Sequence, residues 1–289
     1  MRLTRYHLLL GAALVAGVLI AGLFTDATRW VLLGLLCVLA SSCAALGVSV
    51  PRWRMFGQSL CRVRTAEKAV ALTFDDGPDP ETTPALLALL AKRGVRATFF
   101  CVGSRVARFP ALALRLVSEG HQVENHSFDH RRLTNLLSTA RLRADLARAQ
   151  RAIGAVTGQA PRLFRPPMCL TNPRVFRVAA ELGLQITACS ARGWDRRPDP
   201  PESIAWRLLR RLEPGAVFLL HDGGVPARRL LPAVDLLLDG LQASGYRCLR
   251  LDELAASANP HLKSADPRDS LRPSHDSNGT DFRGRSADA

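Results

Sequence analysis

Between residues 68 and 257, short apolar runs alternate with stretches of helical period. The first run, AVALTF (69–74), is typical of a buried strand, and TTPALLALLAKRG after it predicts a helix that ends at a glycine. Such pairs continue to YRCLRL (246–251). Alternation of this kind favours parallel strands covered by helices. With about seven units, it predicts a distorted, incomplete (β/α)7 barrel of the TIM type rather than an open sheet.

Within this region the spacing of apolar residues also predicts individual elements. Further strands are expected in RATFFCVG, HQVENH, LFRPP, QITACS, AVFLLHD and YRCLRL. The predicted helices after the first one cover residues 104–119, 138–158, 173–182, 202–212 and 228–243.

Two long apolar runs, residues 8–24 and 30–50, precede this region. At 1.5 Å per residue they would measure about 25 and about 31 Å as helices, against a bilayer core of about 30 Å. They predict a two-helix transmembrane hairpin. The alternative is a signal peptide followed by a buried helix.

Arginines flank both runs, while the opposite charges of Asp26 and Arg29 cancel each other in the turn between the runs. The positive-inside bias predicts a multi-pass protein of a bacterial inner membrane with the soluble domain in the cytoplasm. The alternative places that domain on the periplasmic or extracellular face. The flanking arginines are Arg2, Arg5, Arg52, Arg54, Arg62 and Arg64.

The chain is strongly basic, with 39 Lys and Arg against 25 Asp and Glu, but aromatic residues make up only 6%. No nucleic-acid reading motif accompanies the charge, so a nucleic-acid partner is not expected. The charge is typical of a solvated basic surface and is compatible with anionic lipid or glycan. The seven cysteines contain no Cys-x-x-Cys pair, which argues against a zinc ribbon.

Polar residues stand where the predicted strands end. Asp75 and Asp76 follow the first strand and His126 and His130 the third, while Arg165 ends the fourth and His221 the sixth. Taken singly, each is more often a turn residue or a hydrogen-bonded core histidine. Chemistry in parallel α/β domains collects at the carboxyl ends of strands, so the set together predicts a site.

The residue types indicate a metal site. Two adjacent carboxylates repel each other unless a cation binds one of them. His126 and His130, four apart on a predicted helical turn, would present two imidazoles to the ion that Asp76 binds. Asp75 would then remain free as a base, and His221 would be an acid on the far side.

The motifs TFDDGPDPETTPALLALL, RATFFCVG and HSFDH together resemble the polysaccharide deacetylase family, the NodB-homology domain of carbohydrate esterase family 4. The resemblance covers about residues 68–255. It implies a distorted barrel and metal-dependent hydrolysis of an N-acyl group on a sugar. The ion is expected to be zinc, with cobalt, manganese and nickel as alternatives. The expected partners are a glycan or lipid-linked amino sugar and the membrane.

Residue roles follow from the resemblance. Asp75 is the general base, and Asp76, His126 and His130 are the metal ligands. Arg165 matches the arginine that holds the base. His221 matches the general acid, which Asp195 supports. The backbone amide of Met168 would stabilise the oxyanion.

The chain departs from the family pattern near the acyl pocket. Met168 and Cys169 replace an aromatic residue and a glycine, and Arg196 replaces a tryptophan. Trp194 is positioned to act as a wall instead. These differences predict an unusual substrate, with lost activity as the less favoured alternative.

The expected organisation is two transmembrane helices in residues 1–50, a basic linker (51–67), the deacetylase domain (68–257) and a disordered tail (258–289). One alternative function is a non-catalytic, membrane-tethered glycan-binding protein. Another is a structural membrane adaptor, in which Asp76, His126 and His130 would be dispensable.

Overall fold

The structure, a computed structural model, describes residues 4–50 and 53–258. Its strands are β1 (Ala69–Asp75), β2 (Thr98–Cys101), β3 (Gln122–Asn125), β4 (Leu163–Phe164), β5 (Gln185–Ile186), β6 (Ala191–Arg192), β7 (Val217–His221) and β8 (Arg247–Leu249). Its helices are α1 (Arg5–Leu23), α2 (Ala27–Ser49), α3 (Thr83–Lys92), α4 (Gly103–Arg108), α5 (Pro110–Ser118), α6 (Thr139–Thr157), α7 (Pro173–Glu181), α8 (Pro201–Leu209), α9 (Ala227–Ala243) and α10 (Leu251–Ser257). Two short 3₁₀ turns cover Thr134–Leu136 and Pro167–Cys169.

The strands form one sheet whose order is β5-β4-β3-β2-β1-β7-β6, with β8 pairing to the first residues of β1. Every pair of strands in it is parallel. The terminal strands β5 and β6 are separated in sequence only by residues 187–190. The sheet therefore curls until its two edges lie near each other, as a half-open barrel. The predicted fold class is confirmed.

Strand β1 pairs with three other strands, β2, β7 and β8, and is buried along its whole length. All seven of its residues are buried, because helices cover one face and the barrel interior the other. Outside the sheet, leucines of α3, α5, α8 and α9 form the largest core cluster. A second cluster fills the barrel interior and includes Ala71, Phe100, Val217 and Leu251.

The two N-terminal helices are long and apolar enough to cross a membrane. They contact each other, and of their described residues only Gly47 is buried. The amide of Thr171 donates to the carbonyl of Val48 at 3.1 Å, which joins the end of α2 to the barrel.

Some sequence expectations need correction. The helix predicted over 104–119 is two helices, α4 and α5, because Pro110 disfavours helical geometry at Phe109 (φ −127°, ψ 58°). The short strand β6 was missed, so His221 ends the seventh strand rather than the sixth.

Residues of the predicted linker take part in the barrel. Leu60 forms an isolated β-bridge to Thr187 and Arg62 one to Ala216, so the end of this segment lies against the barrel. Apart from Ala258, the predicted disordered tail lies outside the described residues.

Candidate active site

The sequence-predicted residues meet at the carboxyl end of the barrel. A cavity of about 760 Å³ opens there, and the ends of several parallel strands bring side chains to it. Among the predicted residues, those lining it are Asp75, Asp76, His126, His130, Met168 and His221. Arg165 and Asp195 lie behind this wall, and both are fully buried.

Asp75 is held by a buried arginine. Nη1 of Arg165 lies 2.6 Å from Oδ1 of Asp75 and also donates to the hydroxyl of Thr73 at 2.8 Å. Nη2 of Arg165 donates to the carbonyl of Ala188 at 2.8 Å. The guanidinium plane packs 4.0 Å from the ring centroid of Phe100. The orientation of Asp75 is therefore fixed, while its Oδ2 is left for other partners.

Asp76 lies between the two histidines. Its Oδ1 is 3.1 Å from Nε2 of His126 and 2.8 Å from Nε2 of His130. Burial alone would raise the pKa of Asp76, but the nearby imidazoles outweigh it and hold that pKa well below its usual value. Burial alone would lower the pKa of His126, whereas the carboxylates of Asp75 and Asp76 raise it. The protonation of Asp76 and that of His126 therefore depend on each other.

These three side chains fit a divalent cation. Their ligand atoms all lie within 4.8 Å of one another, and Oδ1 of Asp76 is buried between the Nε2 atoms of the two histidines. Nδ1 of His126 is 2.7 Å from the carbonyl of Arg165, which can only accept, so Nδ1 carries the proton. The lone pair of a neutral His126 is then on Nε2, the nitrogen that faces Asp76. The donor set suits zinc and related ions.

The prediction that His126 and His130 share a helical turn is wrong. They lie in the loop after β3, where Ser127 has φ 66° and His130 has φ 49°. This loop is anchored because the amide of Ser127 donates to Oδ1 of Asn125 at 2.8 Å, and the hydroxyl of Ser127 accepts from the amide of His130 at 3.1 Å. The two rings are 4.9 Å apart by centroid, so a strained loop achieves the convergence that a helix was expected to give.

His221 lines the same cavity and is paired with Asp195. Nδ1 of His221 is 2.9 Å from Oδ1 of Asp195, and the amide of His221 donates to Oδ2 at 2.7 Å. Burial alone would lower the pKa of His221, but the hydrogen bond and charge of Asp195 raise it above its usual value. Because Nδ1 faces the carboxylate, Nε2 is the nitrogen available to a substrate.

Strained backbone surrounds the cavity. Seven non-glycine residues of the described chain have positive φ, and six of them belong to or adjoin the site: Asp76, Ser127, His130, Met168, Cys169 and Trp194. Cys169 has φ 56°, a conformation that glycine adopts without strain. Met168 and Trp194 are 59% and 45% exposed at the mouth of the cavity, which leaves two large apolar surfaces for a ligand.

Sequence reasoning missed three contributors. Thr73, which lies in the TFDDGP motif, supports Arg165. Asp222, next to His221, is buried and accepts from the hydroxyl of Thr83 at 2.7 Å, and burial raises its pKa to about 7. Arg196 was noted only as a departure from the family pattern, yet its guanidinium pairs with Oδ2 of Asp76 and donates to the carbonyl of Gly223 at 3.0 Å.

Comparisons with known proteins agree with this geometry. A family model described as polysaccharide deacetylase matches residues 62–187. The peptidoglycan-N-acetylglucosamine deacetylase of Bacillus cereus is 36% identical over 195 residues, which cover 65% of this chain and 88% of the relative. The chain belongs to the polysaccharide deacetylase family. The resemblance inferred from the motifs is thus confirmed.

A second curated relative and a solved structure are similar to this chain as well. The chitooligosaccharide deacetylase of a Bradyrhizobium species is 34% identical over 199 residues, covering 65% of this chain and 90% of the relative. A family 4 carbohydrate esterase pseudoenzyme from Bacillus anthracis superposes with a TM-score of 0.63 at 28% identity, covering 68% of each chain. By the family model and the two curated relatives, the chain is a carbohydrate deacetylase by family.

Proposed function

We propose that this deacetylase hydrolyses an N-acyl group, an acetyl group in the simplest case, from an amino sugar in a glycan, with a divalent metal ion as cofactor. One observation carries the proposal: Asp75, a carboxylate that is oriented by Arg165 and is not needed as a metal ligand, stands beside the cation-binding set of Asp76, His126 and His130. The relatives' names, which specify peptidoglycan and chitooligosaccharides, support an amino-sugar substrate.

The roles of the residues follow from their positions. A divalent ion held by Asp76, His126 and His130 would supply Lewis-acid activation of the acyl group and of water. Asp75, oriented by Arg165, accepts the proton of the attacking water. The amide of Met168 stabilises the oxyanion. His221, kept protonated by Asp195, donates a proton to the departing sugar amine.

The substrate surface is formed by exposed rings and arginines at the mouth. Trp194 replaces the missing tryptophan as a wall on which a sugar ring can stack, and Arg197 lies over its indole at 4.7 Å from the centroid. Arginines outnumber the carboxylates that line the cavity. The substrate is therefore expected to be an amino sugar with an anionic neighbouring group.

The direct test is acetate release from N-acetylated chitooligosaccharides by the full chain. Activity should disappear with a chelator and return when zinc, cobalt, manganese or nickel is added back. Metal binding without release of any acyl group from these or from lipid-linked amino sugars would reject hydrolysis. It would favour the alternative of a non-catalytic glycan-binding protein.

Replacing Asp195 by asparagine is expected to narrow the pH range of activity. Burial lowers the pKa of His221, and the variant keeps that burial but loses the hydrogen bond and charge of Asp195, the largest causes that raise this pKa, so the pKa falls. Since the acid must be protonated, the alkaline limb of kcat/KM should move to lower pH. Circular dichroism at each pH would separate this shift from unfolding, and an unchanged alkaline limb would remove His221 from the role.

Replacing Arg196 by alanine is expected to tighten metal binding by about ten-fold, because the guanidinium competes with the ion for Asp76. Calorimetric titration of metal-free protein with zinc measures this directly. Arg197→Ala removes an equal charge from the same cavity without touching Asp76, so it is the control. Equal affinities for the two variants would contradict the competition.

The membrane arrangement is also part of the proposal. Helices α1 and α2 form a transmembrane hairpin, and residues 68–257 form a catalytic domain on the cytoplasmic face of a bacterial inner membrane. A pair of topology reporters fused after Ser257, one active only in the cytoplasm and one only outside it, should give signal from the cytoplasmic reporter alone. The opposite result would place the domain outside.

A further inference from the structure

A second cavity, of about 530 Å³, adjoins the catalytic cavity, and Arg192 and Trp194 line both. We call it the arginine groove. Apart from these two residues it is lined by the end of α2, by residues 188–191 and by three arginines of α8 and the turn after it: Arg207, Arg210 and Arg211. A ligand that fills the catalytic cavity can therefore continue into the groove without leaving the protein surface.

The lining of the groove has an excess of positive charge. No carboxylate lines it, and of its four arginines only Arg207 has an acidic partner, Asp199, in the described part of the chain. Arg192 is half-buried and packs on the ring of Trp194, and Arg210 packs on Trp206 at 4.4 Å from the ring centroid. Arg192, Arg210 and Arg211 thus line one groove without a carboxylate partner in the described part of the chain, and such a lining fits an anion with several oxygens, because each guanidinium presents a fork of N–H donors.

The groove is also lined by Ser49 and Val50, the last residue of α2 and its C-terminal cap. Above them, α2 exposes large apolar side chains, among them Leu35 and Leu39 at 61% and 63% exposure. The hydrogen bond from Thr171 to Val48 keeps this helix end beside the loop that carries Met168. An apolar surface, an arginine-rich groove and the catalytic cavity thus follow one another.

We infer that the arginine groove binds the phosphate of a lipid-linked N-acylated amino sugar, with the lipid along α2 and the sugar in the catalytic cavity. The inference rests on the proposed function and specifies its substrate class. A phosphate is favoured over the carboxylate of an acidic sugar, because the end of the apolar helix α2 lines the groove. A phosphate can carry a polyprenyl chain, and that chain can pack along the apolar surface of α2. The order of the three surfaces matches the order of tail, anion and sugar in such a molecule.

The test compares the full wild-type chain with the double variant Arg210→Ala/Arg211→Ala. Both proteins are loaded with zinc and placed in phosphatidylcholine nanodiscs. The control is Arg141→Ala/Arg151→Ala, which removes the same charge from exposed positions on α6. Three substrates are used: a neutral N-acetylated chitooligosaccharide, soluble N-acetylglucosamine 1-phosphate and a polyprenyl-phosphate-linked N-acetylhexosamine. Binding of sugar-free polyprenyl phosphate is measured separately, so the groove is tested even where catalysis is absent.

The wild-type chain should prefer the lipid-linked substrate. The groove variant should lower the ratio of kcat/KM for the lipid-linked over the neutral substrate by about ten-fold, and weaken polyprenyl phosphate binding similarly. The control should leave both unchanged. Equal losses of the kcat/KM ratio and of polyprenyl phosphate binding in the two double variants would overturn the inference. Equal wild-type rates on the soluble and the lipid-linked phosphates would overturn the claim that the substrate carries a lipid. Deacetylation of the neutral substrate alone would reject the groove but not the proposed function.

Discussion

Replacing Asp75 by asparagine is expected to lower kcat by about 10²- to 10⁴-fold, the range by which a positioned general base accelerates a reaction. Asparagine keeps the shape of the side chain and can still accept from Arg165, but it cannot take a proton from water. The ligand atoms of Asp76, His126 and His130 are untouched. The variant should therefore bind metal as the wild type does while losing turnover.

The matched control is Asp129→Asn. Asp129 lines the same cavity but is exposed and contacts only the exposed Arg131 among salt-bridge partners in the described residues. Acetate release and metal content per chain are measured for both variants, together with thermal unfolding, because Arg165 is fully buried and Asp75 is its counter-ion. A folded, metal-loaded Asp75→Asn variant that retained wild-type turnover would remove Asp75 from the role of base.

Replacing Asp76 by asparagine is expected to abolish both metal binding and activity. The change removes the carboxylate of the ligand set and leaves two imidazoles, which bind a divalent ion far more weakly without an anionic partner. Arg196 would also lose its acidic partner and be free to move within the cavity. Metal content after dialysis should fall from about one ion per chain to none.

A second measurement makes this result specific. A ligand that binds only the folded state raises the unfolding temperature, so added zinc should stabilise the wild type and the Asp129→Asn control but not Asp76→Asn. A wild-type chain that zinc does not stabilise, with no ion bound after reconstitution, would refute the metal site. It would equally remove the basis for metal-dependent hydrolysis.

The strand and helix order was predictable from the sequence because the signals are local. Runs such as AVALTF are buried on both faces and therefore uniformly apolar, and α6 has a strong helical period between Ser138 and Gly158, which cap it. The break at Pro110 was equally local and was missed although its signal was present. The two-residue strand β6 carries too few residues for any periodicity to show.

For the candidate site, too, one part was predictable from the sequence and another was not. The residue types in TFDDGP, HSFDH, FRPP and LLHD indicated an ion, a base and an acid, since each motif ends a strand of a parallel sheet. How His126 and His130 converge was not predictable from their spacing. A separation of four residues fits a helical turn as well as the loop with positive φ at Ser127 that the structure contains.

The sequence by itself determined that the chain has two long apolar runs, a parallel α/β barrel and a set of metal-type ligands at the ends of its strands, because hydrophobic period and motif chemistry act over a few residues. Only the tertiary structure decided that Arg196 pairs with Asp76, 120 positions away, and that Arg192, Arg210 and Arg211 share a groove with the end of α2. Those contacts depend on how strands β6 and β7 and helix α8 curl around the barrel, and no local pattern encodes that geometry.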